Sequence, residues 1–202
     1  MKLFLFRHTQ TINTLDGTFR YNGFIDVDVD KKGLEIFHHY IPFLRNFNFS
    51  AIYSSDLIRA KKGAEIFSKF FNIPYRVDKK LREVSQGRWE GLSYEEIMKK
   101  YPEEAEKKFA DYVTYKVEGA ENLIEAQERV INFIETVKKE HFGKNIIIVA
   151  HGGINTLIIL NALNMQLQDF FRIKQDFGCM NIIEYFDNFV KVEKINYTFL
   201  TD

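Results

Sequence analysis

Short apolar runs alternate with longer amphipathic stretches along the whole chain, and that alternation leaves few folds open. Lys2–Arg7 is short and apolar, the pattern of a buried strand. Asp30–Asn46 carries Leu34, Phe37, Ile41 and Leu44 at steps of three and four, one helical stripe. Ala51–Tyr53 is a second strand, after which Asp56 can cap a helix bearing Leu57, Ala60, Ala64, Phe67 and Phe71. Pro74–Val77 is a third strand. Ser93-Tyr94-Glu95-Glu96 fits a capping box that opens a helix, and Pro102 interrupts it. Glu121–Glu140 is a long helix with Leu123, Ile124, Val130, Ile131, Ile134 and Val137 on one face and Gly143 at its stop. Ile146–Ala150 is the clearest strand, rich in β-branched residues, and Gly152-Gly153 leads into a helix through Leu163. Met180–Phe186 and Val190–Ile195 flank Asp187-Asn188 as a hairpin. This order predicts an α/β three-layer sandwich with a mostly parallel central sheet and one antiparallel edge strand. Residues 92–119, polar, aromatic and charged, fit the alternation worst and read as a mobile helical lid over the sheet edge. No linker or repeat divides the chain, so one domain is expected over residues 1–202.

Composition narrows the function classes. Lys+Arg and Asp+Glu are both 28, which argues against a broad grip on nucleic acid. One cysteine, Cys179, excludes an internal disulfide framework and any multi-cysteine metal site, and it reads as a core residue. The run Leu3–Phe6 is too short for a signal peptide, and no apolar stretch approaches the roughly 20 residues of a membrane span. A cytoplasmic protein that does not engage membranes is expected. The 20 Phe and 10 Tyr predict an aromatic core and an aromatic pocket. With the final edge strand, they can also support a homodimer. The lysine pairs, Lys107-Lys108 among them, read as solvated helix faces, and so do His38 and His39.

Three polar motifs fall at strand ends: Arg7-His8-Thr9, Ser54-Ser55-Asp56 with Arg59 in the next helix, and His151-Gly152-Gly153. In an open α/β sheet, ligands bind outside the carboxyl ends of the strands, so two arginines and two histidines meet at one rim. Glu83, before Gly87-Arg88-Trp89-Glu90-Gly91, adds a carboxyl. Two guanidiniums match phosphate oxygens, a neutral imidazole can attack phosphorus, and a carboxyl can serve the leaving group. Side chains supply the cations, so no metal or cofactor is required. Two arginines beside the histidines would repel zinc, and ligand spacing is lacking.

In combination these motifs are similar to the histidine phosphatase superfamily, in its phosphoglycerate-mutase-like branch. The opening Arg-His-Gly-Glu-Thr stands here as Arg7-His8-Thr9-Gln10-Thr11. Ser54 to Ala60 matches Ser-Ser-Asp-Leu-x-Arg-Ala. Leu81 to Leu92 matches Leu-Arg-Glu-x-x-x-Gly-x-Trp-Glu-Gly-Leu, and Val149-Ala150-His151-Gly152-Gly153 closes the set. The resemblance implies that His8 takes the phosphoryl group, that Arg7, Arg59, His151 and the Gly152 amide bind it, and that Glu83 is the acid/base. The family's phosphate-facing Asn falls at Thr14, with Asn13 one residue earlier, and either can contact the phosphate. Asn22-Gly23 matches the family's Gln-Gly pair near the substrate.

The stretch between Glu83 and His151 is short for a cofactor-dependent mutase. The resemblance therefore favours a phosphomonoesterase like the broad-specificity and α-ribazole phosphatases, acting on a small phosphorylated metabolite such as α-ribazole phosphate or phosphoserine. A phosphoglycerate mutase and a non-catalytic phosphate-binding module are the alternatives. Arg20, Asn22, Gly23, Tyr94, Tyr112, Tyr115 and Lys116 are the expected substrate contacts. Val84 and Trp89 are the expected apolar flank of Glu83.

Overall fold

The inner strands are apolar on both sides because both sides of the sheet are covered there. In the computed structural model, which describes residues 1–199, six strands form one sheet. They are β1 (Lys2–Arg7), β2 (Phe49–Ser54), β3 (Tyr75–Val77), β4 (Asn145–Ala150), β5 (Met180–Tyr185) and β6 (Val190–Tyr197), in the order β3-β2-β4-β1-β5-β6. β1 to β4 pair in parallel. β5 pairs antiparallel with β1, and β6 antiparallel with β5. The last hairpin thus brings antiparallel pairing to one edge: β5 runs against the other strands, and β6 lies outside it. Residues 200–202, the end of the expected domain, lie outside those described.

The main helices are α1 (Glu35–Leu44), α2 (Ile58–Phe71), α3 (Tyr94–Lys100), α4 (Pro102–Ala110), α5 (Leu123–Glu140) and α6 (Gly152–Ala162). Alternate residues of each strand face opposite layers. Leu3, Leu5, Ile146, Ile148 and Ala150 pack with the apolar faces of α5 and α6. Phe4, Phe6, Ile147 and Val149 pack with Phe37, Tyr40 and Leu44 of α1 and with Ala60, Ala64 and Phe67 of α2. The expected aromatic core lies in this second layer. The Phe6 ring sits 5.1 Å from Tyr40 and 4.7 Å from Phe67. Cys179 is fully buried, while His38 and His39 are exposed, as their settings suggest.

Helix ends follow local chemistry, with one correction. The Ser93 capping box opens α3, and Pro102 begins α4 at a position that lacks an amide partner in any helix. A second capping box, Asn122 with Glu125, opens α5. Asp56 does not cap α2. Its carboxylate pairs with both ends of the Arg82 guanidinium at 2.8 and 2.6 Å, and Asp26 accepts the Ile58 amide instead. A bidentate arginine wins the carboxylate from the helix terminus, and this ties the Ser54-Ser55-Asp56 motif to the segment that carries Glu83.

Residues 92–119 carry α3 and α4, with a small core of Trp89, Ile97, Ala105 and Val117. Arg88 joins Glu104 and Glu118, and the Trp89 indole donates to Glu104 at 2.7 Å. The solvated-face reading fails for Lys108, which is buried. Its ammonium donates to the Tyr112 and Tyr115 carbonyls at 2.9 and 2.8 Å, and burial lowers its pKa to about 8.

Candidate active site

The parallel pairing brings the three motifs together. Arg7 stands opposite Ala150 and Ser54 opposite Val149, so β1, β2 and β4 end level at one rim. There a cavity of about 340 Å³ is lined by Arg7, His8, Thr14, Arg59, Glu83, Gly152 and Gly153, among others.

His8 is nearly buried, and its Nδ1 lies 2.7 Å from the Thr9 carbonyl oxygen. A carbonyl can only accept, so Nδ1 carries the proton and Nε2 presents its lone pair. Burial first, then Arg59 and Arg7, hold the His8 imidazole well below the ordinary 6.5, against the Thr9 bond that raises it. His8 is therefore neutral near pH 7. His151, fully buried, has the opposite tautomer. Arg59 Nε donates to its Nδ1 at 3.2 Å, so the proton sits on Nε2. That Nε2 is buried without a protein partner. The two rings lie 5.1 Å apart, and burial with Arg59, His8 and Arg7 keeps His151 neutral too.

Arg59 reaches its place from the first turn of α2, and its two terminal nitrogens donate to the Ile25 and Gly23 carbonyls at 2.6 Å each. Arg7 donates to the Gln175 carbonyl, stacks on Phe177 at 3.9 Å, and has a buried Nε without a partner. Glu83 meets the N-terminus of α6. Its Oε1 accepts from Val84 and Ile154 amides at 2.9 and 3.2 Å, and its Oε2 accepts from Gly153 at 3.1 Å. A carboxyl group offers about four lone-pair sites. Three are occupied, which leaves one on Oε2 for a travelling proton. Gly153 makes this approach possible, since a Cβ there would stand 2.6 Å from Glu83 Oε1.

The structure sorts the remaining expectations. Thr14 lines the cavity, whereas Asn13 turns to Asn22 and Thr11. Arg20, Asn22, Gly23 and Tyr112 line it as well. Tyr94, Tyr115 and Lys116 do not. The Tyr94 ring packs on Phe109, Lys116 pairs with Glu125, and the Tyr115 carbonyl holds Lys108. Trp89 belongs to the small core under α3 and α4, so Val84 alone of the expected flank lines the site. Thr9 does not line the cavity. It packs toward Gly33 and Gly178.

The sequence reading missed one wall: Phe170, Phe171, Ile173, Gln175 and Phe177, with Phe19 and Tyr21 opposite. These first residues lie on the approach to β5. Because β5 runs antiparallel, its start falls at the same rim where the parallel strands end. The hairpin reading contained that signal.

Among the described residues, no cluster of three His, Cys, Asp or Glu side chains is placed to hold a metal ion, and no helix is long and apolar enough to cross a membrane.

The chain is similar to phosphoserine phosphatase 1 of Hydrogenobacter thermophilus, with 28% identity over 90% of this chain and 83% of that protein. It is also similar to the adenosylcobalamin/alpha-ribazole phosphatase of Escherichia coli, with 24% identity over 97% and 96%. The alpha-ribazole phosphatase of Shigella flexneri shares the fold, with a TM-score of 0.89 at 23% identity over the whole of both chains. Residues 3–198 match the histidine phosphatase superfamily (branch 1), and the chain belongs to that family.

Proposed function

We propose that this protein is a phosphomonoesterase that works through a phosphohistidine on Nε2 of His8. The observation that carries the reading is the opposed pair of tautomers: a free lone pair on His8 at the cavity wall, and beside it an unpartnered N–H on His151. The first can attack phosphorus, and the second can donate to a phosphoryl oxygen. Arg7, Arg59, Thr14 and the Gly152 amide complete the phosphate pocket.

In the first step the His8 Nε2 lone pair forms the N–P bond while the ester P–O bond breaks. The leaving oxygen takes the proton from Glu83 and departs as the alcohol. The phosphorylated ring keeps its Nδ1 proton and becomes cationic, stabilised by the Thr9 carbonyl. In the second step water attacks phosphorus, Glu83 takes a proton from the water, and the N–P electrons return to His8. Inorganic phosphate leaves and Glu83 is protonated again.

The walls speak to the alcohol. Val84, Tyr112, Phe170, Phe171 and Ile173 make an apolar side, while Arg20, Asn22 and Gln86 supply polar groups. This suits a small metabolite with a ring or short organic body and a few polar substituents. α-Ribazole phosphate and phosphoserine, the substrates named for relatives, are the first compounds to compare. The test is product analysis in two arms. The first incubates a panel of phosphate monoesters with excess chelator and measures phosphate release. The second supplies 3-phosphoglycerate with catalytic 2,3-bisphosphoglycerate. Phosphate release is expected to dominate in both. If 2-phosphoglycerate forms faster than phosphate appears, the mutase reading replaces this one. If no monoester turns over, the binding-module reading does.

A further inference from the structure

Arg129, on the second turn of α5, is outside the cavity and absent from every motif discussed above, yet it spends three of its donors on the segment that carries Glu83 and the other two on Glu121. A guanidinium has five N–H groups. Nε and Nη2 of Arg129 grip the Glu121 carboxylate at 2.7 Å each. Nη1 donates to the Lys80 and Arg82 carbonyls at 2.7 and 3.0 Å. The last N–H, on Nη2, donates to the Glu83 carbonyl at 3.2 Å. Glu121 then accepts the Ser85 amide at 3.1 Å. The pair therefore fixes the main chain on both sides of Glu83 from α5, while the α6 amides fix the carboxyl itself.

We infer that Arg129, with Glu121, is a positioning residue that sets the register of the Glu83 carboxyl against the leaving oxygen. The inference rests on the reading of Glu83 as proton donor. Lysine cannot reproduce the contact, because an ammonium has three donors on one atom and no fork. An acid placed about 1 Å off its position costs a reaction step on the order of 10²-fold.

The experiment compares Arg129→Lys, Glu83→Gln and the double variant in rapid-quench measurements of the phosphorylation step. One substrate is an alkyl phosphate and the other is p-nitrophenyl phosphate, whose leaving group needs little protonation. Glu83→Gln sets the benchmark. If it slows both substrates equally, the proton-donor reading fails, whatever Arg129 does. If it is selective for the alkyl ester, Arg129→Lys is expected to show the same selectivity, losing roughly 10–100-fold on the alkyl ester and less than about threefold on the aryl ester. In the double variant, Arg129→Lys should add almost nothing to Glu83→Gln, because it acts through a group already disabled. Equal losses on both esters, no loss, or losses that multiply in the double variant would overturn the inference. Arg129→Ala tests the same point more severely. Should it fail to fold, the lysine variant still decides.

Discussion

Gly153→Ala isolates the geometry of Glu83 without touching any ionisable group. The added Cβ would lie 2.6 Å from Glu83 Oε1 and 3.3 Å from Val84 Cγ2, where ordinary contact begins at 3.4 Å. The oxygen must retreat by roughly 0.8 Å to regain normal contact. That retreat disturbs the bonds from the Val84 and Ile154 amides. Each such bond contributes about 0.5–1.5 kcal/mol. Replacing Gly by Ala in a helix returns roughly 0.5–1 kcal/mol, so the net loss of stability is at most about 2.5 kcal/mol and Tm should fall by less than about 10 °C. Catalysis should suffer as well. A shift approaching 1 Å in a proton donor predicts a drop in kcat/KM of roughly 10–100-fold for an alkyl phosphate. The assay is steady-state phosphate release, with circular dichroism and a melting curve on the same sample. A folded variant that keeps kcat/KM within about threefold of the parent would refute the account, because it would show that the carboxyl need not stand where α6 holds it.

Three further outcomes are expected. His8 and His151 sit well below 6.5 in the folded chain, because burial and the two arginines oppose the imidazolium. The unfolded chain titrates near 6.5, so the stability due to these neutral rings is complete above that pH and is lost as pH falls from 6.5 toward the folded values. Tm should therefore decline on acidification below 6.5, less steeply in His8→Ala, and a parent Tm level from about pH 7 to pH 5 would sink the assignment. Tyr112→Ala should raise KM for ring-bearing esters about tenfold and leave vanadate inhibition unchanged, since Tyr112 lines the cavity wall beside Phe171 at 4.5 Å and not the phosphate pocket. Tyr94→Ala, which does not line the cavity, should change KM less than about twofold, and the opposite ranking in a substrate screen would count against the wall as described. Lys108→Met removes the ammonium that holds two carbonyls, and should cost about 2 kcal/mol in a denaturant titration. An unchanged midpoint would show that the contact contributes nothing.

The layers and the rim were legible because they follow from periodicity. Leu3 and Leu5 facing one way and Phe4 and Phe6 the other is the mark of a strand buried on both faces, and three parallel strands, β1, β2 and β4, bring Arg7, His8, Arg59 and His151 to one end. Contacts decided by competition between distant groups were not legible. Asp56 stood where a cap belongs, but Arg82 offers two charged donors where the helix offers one amide. Lys108 sits beside Lys107 in a polar run, and nothing local says that the loop at 112–115 folds back onto it. Tyr94 and Tyr115 were misplaced for a related reason, while Tyr112 does line the cavity. Spacing places Tyr94 on α3, but whether α3 reaches the cavity depends on how that helix packs over Trp89, a tertiary fact.

Arg59 shows why the site needs the whole fold. An isolated imidazole exchanges its proton between two nitrogens, so two neighbouring histidines could both present lone pairs or both present donors. Here a local contact fixes one ring and a distant one fixes the other. The Thr9 carbonyl, one residue along the chain, holds the His8 proton on Nδ1. Arg59, delivered by α2, claims Nδ1 of His151 and pushes its proton to Nε2. The same guanidinium is held in plane by the Gly23 and Ile25 carbonyls, so the loop that shapes the cavity mouth also sets the angle at which Arg59 meets His151. The division into nucleophile and donor therefore belongs to neither histidine alone. It depends on β1, β4, α2 and the 22–25 loop being assembled at once, which is why Arg7-His8 and His151-Gly152 are chemically ambiguous as sequence and distinct in the folded chain.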